Sequence, residues 1–66
     1  MYYQVTILNK QDEMENHLDM NGYSFERIGN NFYIYEEEFP YVVAILKEHD
    51  VDFWVNGENG GKYYGK

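Results

Sequence analysis

The order of strand-like and helix-like patterns is the strongest constraint on the fold of this 66-residue chain. Four segments alternate apolar and polar side chains, which is typical of strands with one buried face. These segments are residues 2–8, 23–28, 32–38 and 51–55. Residues 14–18 and 42–49 instead carry apolar and histidine side chains at helical spacing. The sequence therefore predicts the order β-α-β-β-α-β.

Turn and capping residues mark the boundaries of these elements. Asn9 is a candidate N-cap of the first helix, and Asn21–Gly22 is its candidate end, because glycine readily adopts the left-handed conformation that terminates helices. Residues 29–31 predict a tight turn between two strands. Pro40 suits the first turn of the second helix, where its missing N–H costs nothing. Residues 56–66 predict a turn followed by either a short returning strand or a loose tail.

This order predicts a single α+β domain spanning residues 1–66, with the ferredoxin-like arrangement. Right-handed crossovers then place the antiparallel strands in the order 4-1-3-2, with both short helices on one face. The apolar helix residues are expected to pack on the inner strand residues: Met14, Leu18, Val42, Ile45 and Leu46 on Val5, Ile7, Phe53 and Val55. A chain without cysteine and of this length must hold its small core by packing alone.

Charge restricts the partners of the chain. It contains 12 Asp and Glu residues against 5 Lys and Arg, a formal net charge of −7. Direct binding to nucleic acid is disfavoured, because affinity for phosphates comes from Lys and Arg that release counterions. Binding to a membrane surface is disfavoured for the same reason. A protein with a basic surface is the complementary partner, and the alternative is a charge that only keeps the domain soluble.

Glu36, Glu37 and Glu38 have a structural explanation. They precede Pro40 at the predicted start of the second helix, and carboxylates near a helix N-terminus gain about 0.3–1 kcal/mol each from the helix dipole. We therefore expect them mainly to stabilise the helix, and we assign them a secondary role in partner binding.

The carboxylates at the other end of this helix lack that explanation. Glu48 and Asp50 lie at its negative end, where Lys47 and a protonated His49 are the only local offset. In the predicted topology this end lies beside the start of the first helix. We therefore predict a partner-binding acidic cluster there, consisting of Asp12, Glu13, Glu15, Glu26, Glu48, Asp50 and Asp52.

Aromatic residues are expected on the sheet face that the helices leave open. They are Tyr2, Tyr33, Tyr35, Trp54, Tyr63 and Tyr64. In a basic protein such a face would indicate an RNA-stacking platform, but the acidic balance disfavours that interpretation. Exposed aromatic faces more often mark a protein contact or a homodimer interface. Tyr33, Tyr35 and Trp54 are therefore secondary partner-binding candidates, and both a monomer and a homodimer remain compatible with the sequence.

The sequence contains no pattern typical of catalysis or cofactor binding, such as a phosphate loop or a nucleophile with a flanking motif. Residues 48–52 include side chains suited to a hard cation, but they lack the spacing of a calcium loop. We expect no enzymatic activity, no cofactor and no metal site. No apolar run approaches the ~20 residues that span a bilayer, and the first residues lack a basic leader, so we expect a cytoplasmic protein.

In size, acidity, aromatic content and lack of a catalytic pattern, the chain resembles small acidic inhibitors encoded by bacteriophages, the anti-CRISPR and DNA-mimic class. The residues that carry the resemblance are EEE at 36–38, KEHDVD at 47–52 and KQDEMENHLD at 10–19. The resemblance implies that carboxylates imitate phosphates and occupy the basic nucleic-acid-binding surface of an effector in the bacterial host. The alternative is a structural or regulatory module that homodimerises through its aromatic sheet face.

Overall fold

Five antiparallel strands and two helices make up the part of the chain that the computed structural model describes, residues 1–57 and 60–65. The elements are β1 (Tyr2–Ile7), α1 (Gln11–Met20), β2 (Phe25–Ile28), β3 (Asn31–Tyr35), α2 (Phe39–Glu48), β4 (Phe53–Gly57) and β5 (Gly60–Tyr64). The strands form one sheet in the order β2-β3-β1-β4-β5, and all neighbours pair antiparallel. The prediction of an α+β fold with an antiparallel sheet and two helices is confirmed.

The fifth strand is the main difference from the predicted sheet. The sequence predicts four strands and leaves residues 56–66 as a turn with either a strand or a tail. In the structure β5 pairs with β4, and Tyr64 lies directly opposite Phe53. Residues 58, 59 and 66 of the predicted segment lie outside the described residues. The returning strand is therefore the correct alternative, and it extends the sheet beyond β4.

One apolar cluster joins both helices to the sheet. Its buried members are Val5, Ile7, Met14, Leu18, Phe32, Ile34, Val42, Leu46, Val51 and Phe53. Because alternate strand residues lie on one side of a sheet, a shared cluster places α1 and α2 on the same face. The predicted packing is confirmed for most of its residues, whereas Ile45 and Val55 are only half-buried at the edge of the cluster.

Both helices end in the same hydrogen-bond pattern. The N–H groups of Asp50 and Val51 donate to carbonyl groups in the last turn of α2, at 3.2 and 3.0 Å. The N–H groups of Gly22 and Tyr23 do the same in α1, both at 3.1 Å. This Schellman pattern needs a left-handed residue, and φ is +79° at Gly22 and +56° at Asp50. Asp50 is therefore the residue that terminates α2.

The start of α1 differs from the prediction. Asn9 is not the N-cap, because α1 begins at Gln11 and Lys10 occupies the capping position with φ +57°. The side-chain oxygen of Asn9 instead accepts a hydrogen bond from the Asp52 N–H at 2.8 Å. Asn9 therefore connects the chain after β1 to the chain before β4. In α2, Pro40 lies in the first turn as predicted.

Candidate protein-binding surfaces

Two acidic segments meet at the end of the sheet where β1 finishes and β4 begins. The Lys10 ammonium donates a hydrogen bond to the backbone carbonyl of His49 at 2.8 Å. The Leu8 N–H donates to the Asp52 carbonyl, also at 2.8 Å. Together with the bond from Asp52 to Asn9, these contacts hold the start of α1 against the end of α2. The structure thus brings together the two segments that carry most of the predicted acidic cluster.

Lys10 also supplies positive charge at the end of α2. Its ammonium lies at the negative end of the α2 dipole, where a cation is favourable, and Lys47 lies in the last turn of the same helix. The end of α2 that carries Glu48 and Asp50 therefore has one more nearby cation, Lys10, than the sequence of α2 alone predicts. Sequence reasoning missed Lys10 because it is 39 residues away from His49 and belongs to another element.

Arg27 pairs with two members of the predicted cluster. One of its terminal nitrogens lies 2.7 Å from a carboxylate oxygen of Asp12 and 2.8 Å from one of Glu15. The hydrogen bonds with Asp12 and then Glu15 raise the pKa of the Arg27 guanidinium. The Asp12 side chain is 92% exposed and that of Glu15 only 45%. Asp12 therefore remains accessible to a partner, whereas Glu15 is mainly engaged with Arg27.

Glu26 lies apart from the cluster. It is directly opposite Tyr33 in the sheet, while its neighbour Arg27 is opposite the buried Phe32. Since neighbouring residues of a strand face opposite sides, Glu26 lies on the face that the helices leave open. The prediction that Glu26 joins the other carboxylates at one end of the molecule is therefore wrong in its placement.

The carboxylates that remain together form what we call the acidic corner: Asp12, Glu13, Glu48, Asp50 and Asp52. All of them are exposed except Asp52, which is half-buried. Their backbone positions are set by the ends of two helices and by the contacts of Lys10 and Asn9. The acidic corner therefore combines carboxylates from the start of α1 with carboxylates from the end of α2 and the residues after it.

Glu36, Glu37 and Glu38 form the turn between β3 and α2. They precede the helix, as predicted, and Glu38 occupies its capping position without a side-chain bond to the helix. The Glu38 carboxylate instead accepts a hydrogen bond from the Ser24 N–H at 3.2 Å. Glu36 and Glu37 are exposed, and the ten residues of α2 separate this turn from the acidic corner.

The open face of the sheet carries two pairs of exposed aromatic rings. Tyr2 and Tyr35 stack with their ring centres 4.5 Å apart, and the Tyr2 hydroxyl donates to the Tyr35 hydroxyl at 2.9 Å. This hydrogen bond raises the pKa of Tyr2. Trp54 and Tyr63 lie opposite each other on β4 and β5, with ring centres 6.4 Å apart. The exposure of these four rings ranges from 36% for Tyr35 to 50% for Tyr2.

Polar uncharged side chains occupy the middle of the same face. Thr6 donates to the side-chain oxygen of Asn31 at 2.6 Å, and the Asn56 amide donates to Thr6 at 3.3 Å. Gln4 lies between Tyr33 and Asn56 in the register of the three central strands. This face therefore combines aromatic rings with amide and hydroxyl groups whose orientation is partly fixed by hydrogen bonds.

Tyr64 does not belong to the open face, contrary to the prediction. Its ring stacks on the buried Phe53 with ring centres 4.8 Å apart and an angle of 9° between the planes. The ammonium groups of Lys47 and Lys62 lie 5.0 and 5.1 Å from the centre of the Tyr64 ring. Tyr64 therefore extends the apolar core under β5.

The candidate metal ligands of residues 48–52 do not form a site. Among the residues that the structure describes, no group of three His, Cys, Asp or Glu side chains is placed to hold a metal ion. The half-buried His49 ring instead contacts the ring of His17, with 4.7 Å between the ring centres. Neither helix of the described chain has the length and apolar character needed to cross a membrane.

Comparison with known proteins identifies no relative. No protein-family model matches the chain, and neither a curated protein nor a solved structure matches it.

Proposed function

We propose that this protein is a non-enzymatic binding protein whose acidic corner docks on a basic, nucleic-acid-binding surface of a protein partner. The observation that carries this proposal is the contact between Lys10 and His49, which holds two acidic segments side by side. Because these carboxylates are displayed on helix ends rather than on a loose segment, less ordering is needed when they bind.

The overall charge supports the same kind of partner. A net charge of −7 is concentrated on a body with a radius of gyration of only 10.7 Å. The negative electrostatic field of this charge accelerates the encounter with a positively charged surface and repels phosphates. Surfaces that hold nucleic acid are rich in Lys and Arg, so they are the natural complement.

A partner whose nucleic-acid-binding surface is occupied by this protein cannot bind nucleic acid there. The proposed role is therefore inhibition of a host effector in the cytoplasm of a bacterial cell, of the anti-CRISPR or DNA-mimic type. The resemblance in size, acidity and aromatic content supports this role. Glu13, Glu48 and Asp50 are the proposed central contacts, with Asp12 and Asp52 beside them.

We also propose a more specific fold for this domain. The order β2-β3-β1-β4 within the sheet supports a ferredoxin-like arrangement, extended on one side by β5. A ferredoxin-like arrangement would bring the end of α2 beside the start of α1, in agreement with the contact between Lys10 and His49.

The test is capture from a bacterial lysate with immobilised protein, followed by mass spectrometry and by competition with nucleic acid. We expect the retained protein to bind nucleic acid, to be released by high salt and to be displaced by its own nucleic acid. The double variant Glu13→Lys/Glu48→Lys should lose the captured protein, because it reverses two exposed charges of the acidic corner.

The matched control is Glu36→Lys/Glu37→Lys. It changes the net charge by the same amount, but at the opposite end of α2. If both double variants lose the partner equally, only the total charge matters and the acidic corner is not the site. A retained protein that lacks a nucleic-acid-binding surface would also contradict the proposal.

A further inference from the structure

We infer that two copies of this chain associate through the open faces of their sheets, which buries the Tyr2–Tyr35 and Trp54–Tyr63 pairs between them. This inference is independent of the acidic corner, because it uses the opposite side of the sheet from the helices. Paired sheets of this kind pack about 10 Å apart with their side chains interdigitated.

Charge favours a second copy as the occupant. Among the described residues of the open face, Glu26 on the edge strand β2 is the one that carries a charge. In a face-to-face pair, the helix layers and the acidic corners lie on the two outer sides. They are then separated by two sheets and the interface, which is more than the ~8 Å screening length at physiological salt. Two chains of net charge −7 can therefore meet through this face without bringing their main acidic groups together.

The size of the face is sufficient for a specific contact. Five strands about 4.8 Å apart and about five residues long at ~3.3 Å per residue give a footprint of roughly 400 Å². Two such faces have a combined flat footprint of roughly 800 Å². Their side chains add accessible area to this footprint, so the buried area approaches the ~1,200 Å² at the lower limit of stable specific interfaces. A weak, concentration-dependent dimer is the expected result.

The side chains of the face also have the chemistry of protein contacts. Tyr and Trp provide large contact areas with few rotatable bonds, and Asn, Gln and Thr provide adaptable hydrogen bonds. The Trp54 indole covers Gly61 so closely that a Cβ on that residue would overlap with it. Together with the stacked Tyr2 and Tyr35 rings, this contact leaves less side-chain freedom to be lost on association.

Trp54 provides the direct test, because the chain contains one tryptophan. Sedimentation velocity at increasing protein concentration should show a transition from the mass of one chain, 8.0 kDa, to twice that mass. The fluorescence of Trp54 should shift to shorter wavelength over the same concentration range. Added salt should strengthen association, because it screens the repulsion between two acidic chains, whereas it should weaken binding at the acidic corner.

The variant Tyr63→Glu places a carboxylate in one of the two aromatic pairs of the contact, and we expect at least tenfold weaker dimerisation. The control is Tyr41→Glu, the same chemical change at a 63% exposed tyrosine on α2. Equal weakening in both variants would attribute the effect to net charge and overturn the inference. If circular dichroism shows that Tyr63→Glu is unfolded, Tyr35→Glu tests the other aromatic pair in the same way.

Three further results would each overturn the inference. The first is a protein that remains a monomer at several hundred micromolar. The second is a dimer that leaves the fluorescence of Trp54 unchanged. The third is quenching of Trp54 by single-stranded oligothymidine in the monomer, which would make the face a stacking platform for nucleic acid.

Discussion

The ammonium group of Lys10 lies 2.8 Å from the carbonyl oxygen of His49, and this contact ties the start of α1 to the end of α2. The same residue has a left-handed backbone that turns the chain into α1. Lys10 thus joins two helix ends and places a cation at the negative end of α2. Through these two roles, one basic residue positions the carboxylates of the acidic corner.

Replacing Lys10 with methionine should lower the free energy of unfolding by about 0.5–1 kcal/mol, because the negative end of α2 loses one of its two nearby cations. Urea unfolding at low salt measures this difference, and it should shrink at 1 M salt, where the interaction is screened. Lys10→Arg, which keeps the positive charge, is the control and should lose less stability. An equal loss in both variants would show that the charge of Lys10 at the end of α2 is not the cause.

The left-handed residue at the end of α1 predicts a cost of substitution. Gly22→Ala should destabilise the protein by roughly 1 kcal/mol, because alanine is disfavoured in the left-handed conformation. A Cβ there has no atom within 4 Å, so the cost comes from the backbone alone. Urea unfolding measures this difference, and a Gly22→Ala variant as stable as the parent protein would contradict the explanation.

The ion pairs of Arg27 should differ in strength. Glu15 is less exposed than Asp12, so water screens its interaction with Arg27 less. In double-mutant cycles with Arg27→Gln, we expect a larger coupling energy for Glu15→Gln than for Asp12→Asn. Equal coupling for both carboxylates would contradict this explanation.

The contact between Trp54 and Gly61 predicts a spectroscopic effect. The variant Gly61→Ala introduces a Cβ into the space that the indole occupies, so the ring must move. Because Trp54 is 38% exposed, the ring can turn into solvent, and the fluorescence emission should shift to longer wavelength. The control is Gly29→Ala, whose Cβ would meet no atom within 4 Å. Its positive φ of +62° costs stability, but the folded protein should keep its emission unchanged.

The Tyr2–Tyr35 hydrogen bond predicts a dependence on alkaline pH. The pKa of Tyr2 is raised above its ordinary value of 10.0, first by the hydrogen bond to Tyr35 and then by burial. The folded state therefore favours the neutral hydroxyl of Tyr2. The hydrogen bond of this hydroxyl contributes stability below pH 10.0, and this contribution is lost as the pH rises through the higher pKa that Tyr2 has in the folded state.

NMR titration of tyrosine ring resonances provides the measurement. The variant Tyr35→Phe should lower the pKa of Tyr2 toward its ordinary value, because the hydroxyl loses its partner. Tyr41→Phe on α2 is the control and should leave Tyr2 unchanged. An unchanged pKa in Tyr35→Phe would show that the hydroxyl contact is not the main cause.

Several parts of the open face follow from alternation alone. Tyr33, Tyr35 and Trp54 lie on the predicted side of the sheet, since neighbouring strand residues face opposite sides. The same rule, applied to residues 25–28, places Glu26 on the open face. Tyr64 could not be placed from its pattern, because that required knowing how β5 pairs with β4.

The sequence by itself determined the type and order of the first six elements and most of the core. These features depend on local periodicity: Val5 and Ile7 alternate along a strand, and Met14 and Leu18 repeat along a helix. The tertiary structure decided which charges meet. Arg27 binds carboxylates 12 and 15 residues away, and Lys10 binds a carbonyl 39 residues away. Such contacts follow no sequence period, because they depend on how the packed helices and strands bring distant ends together.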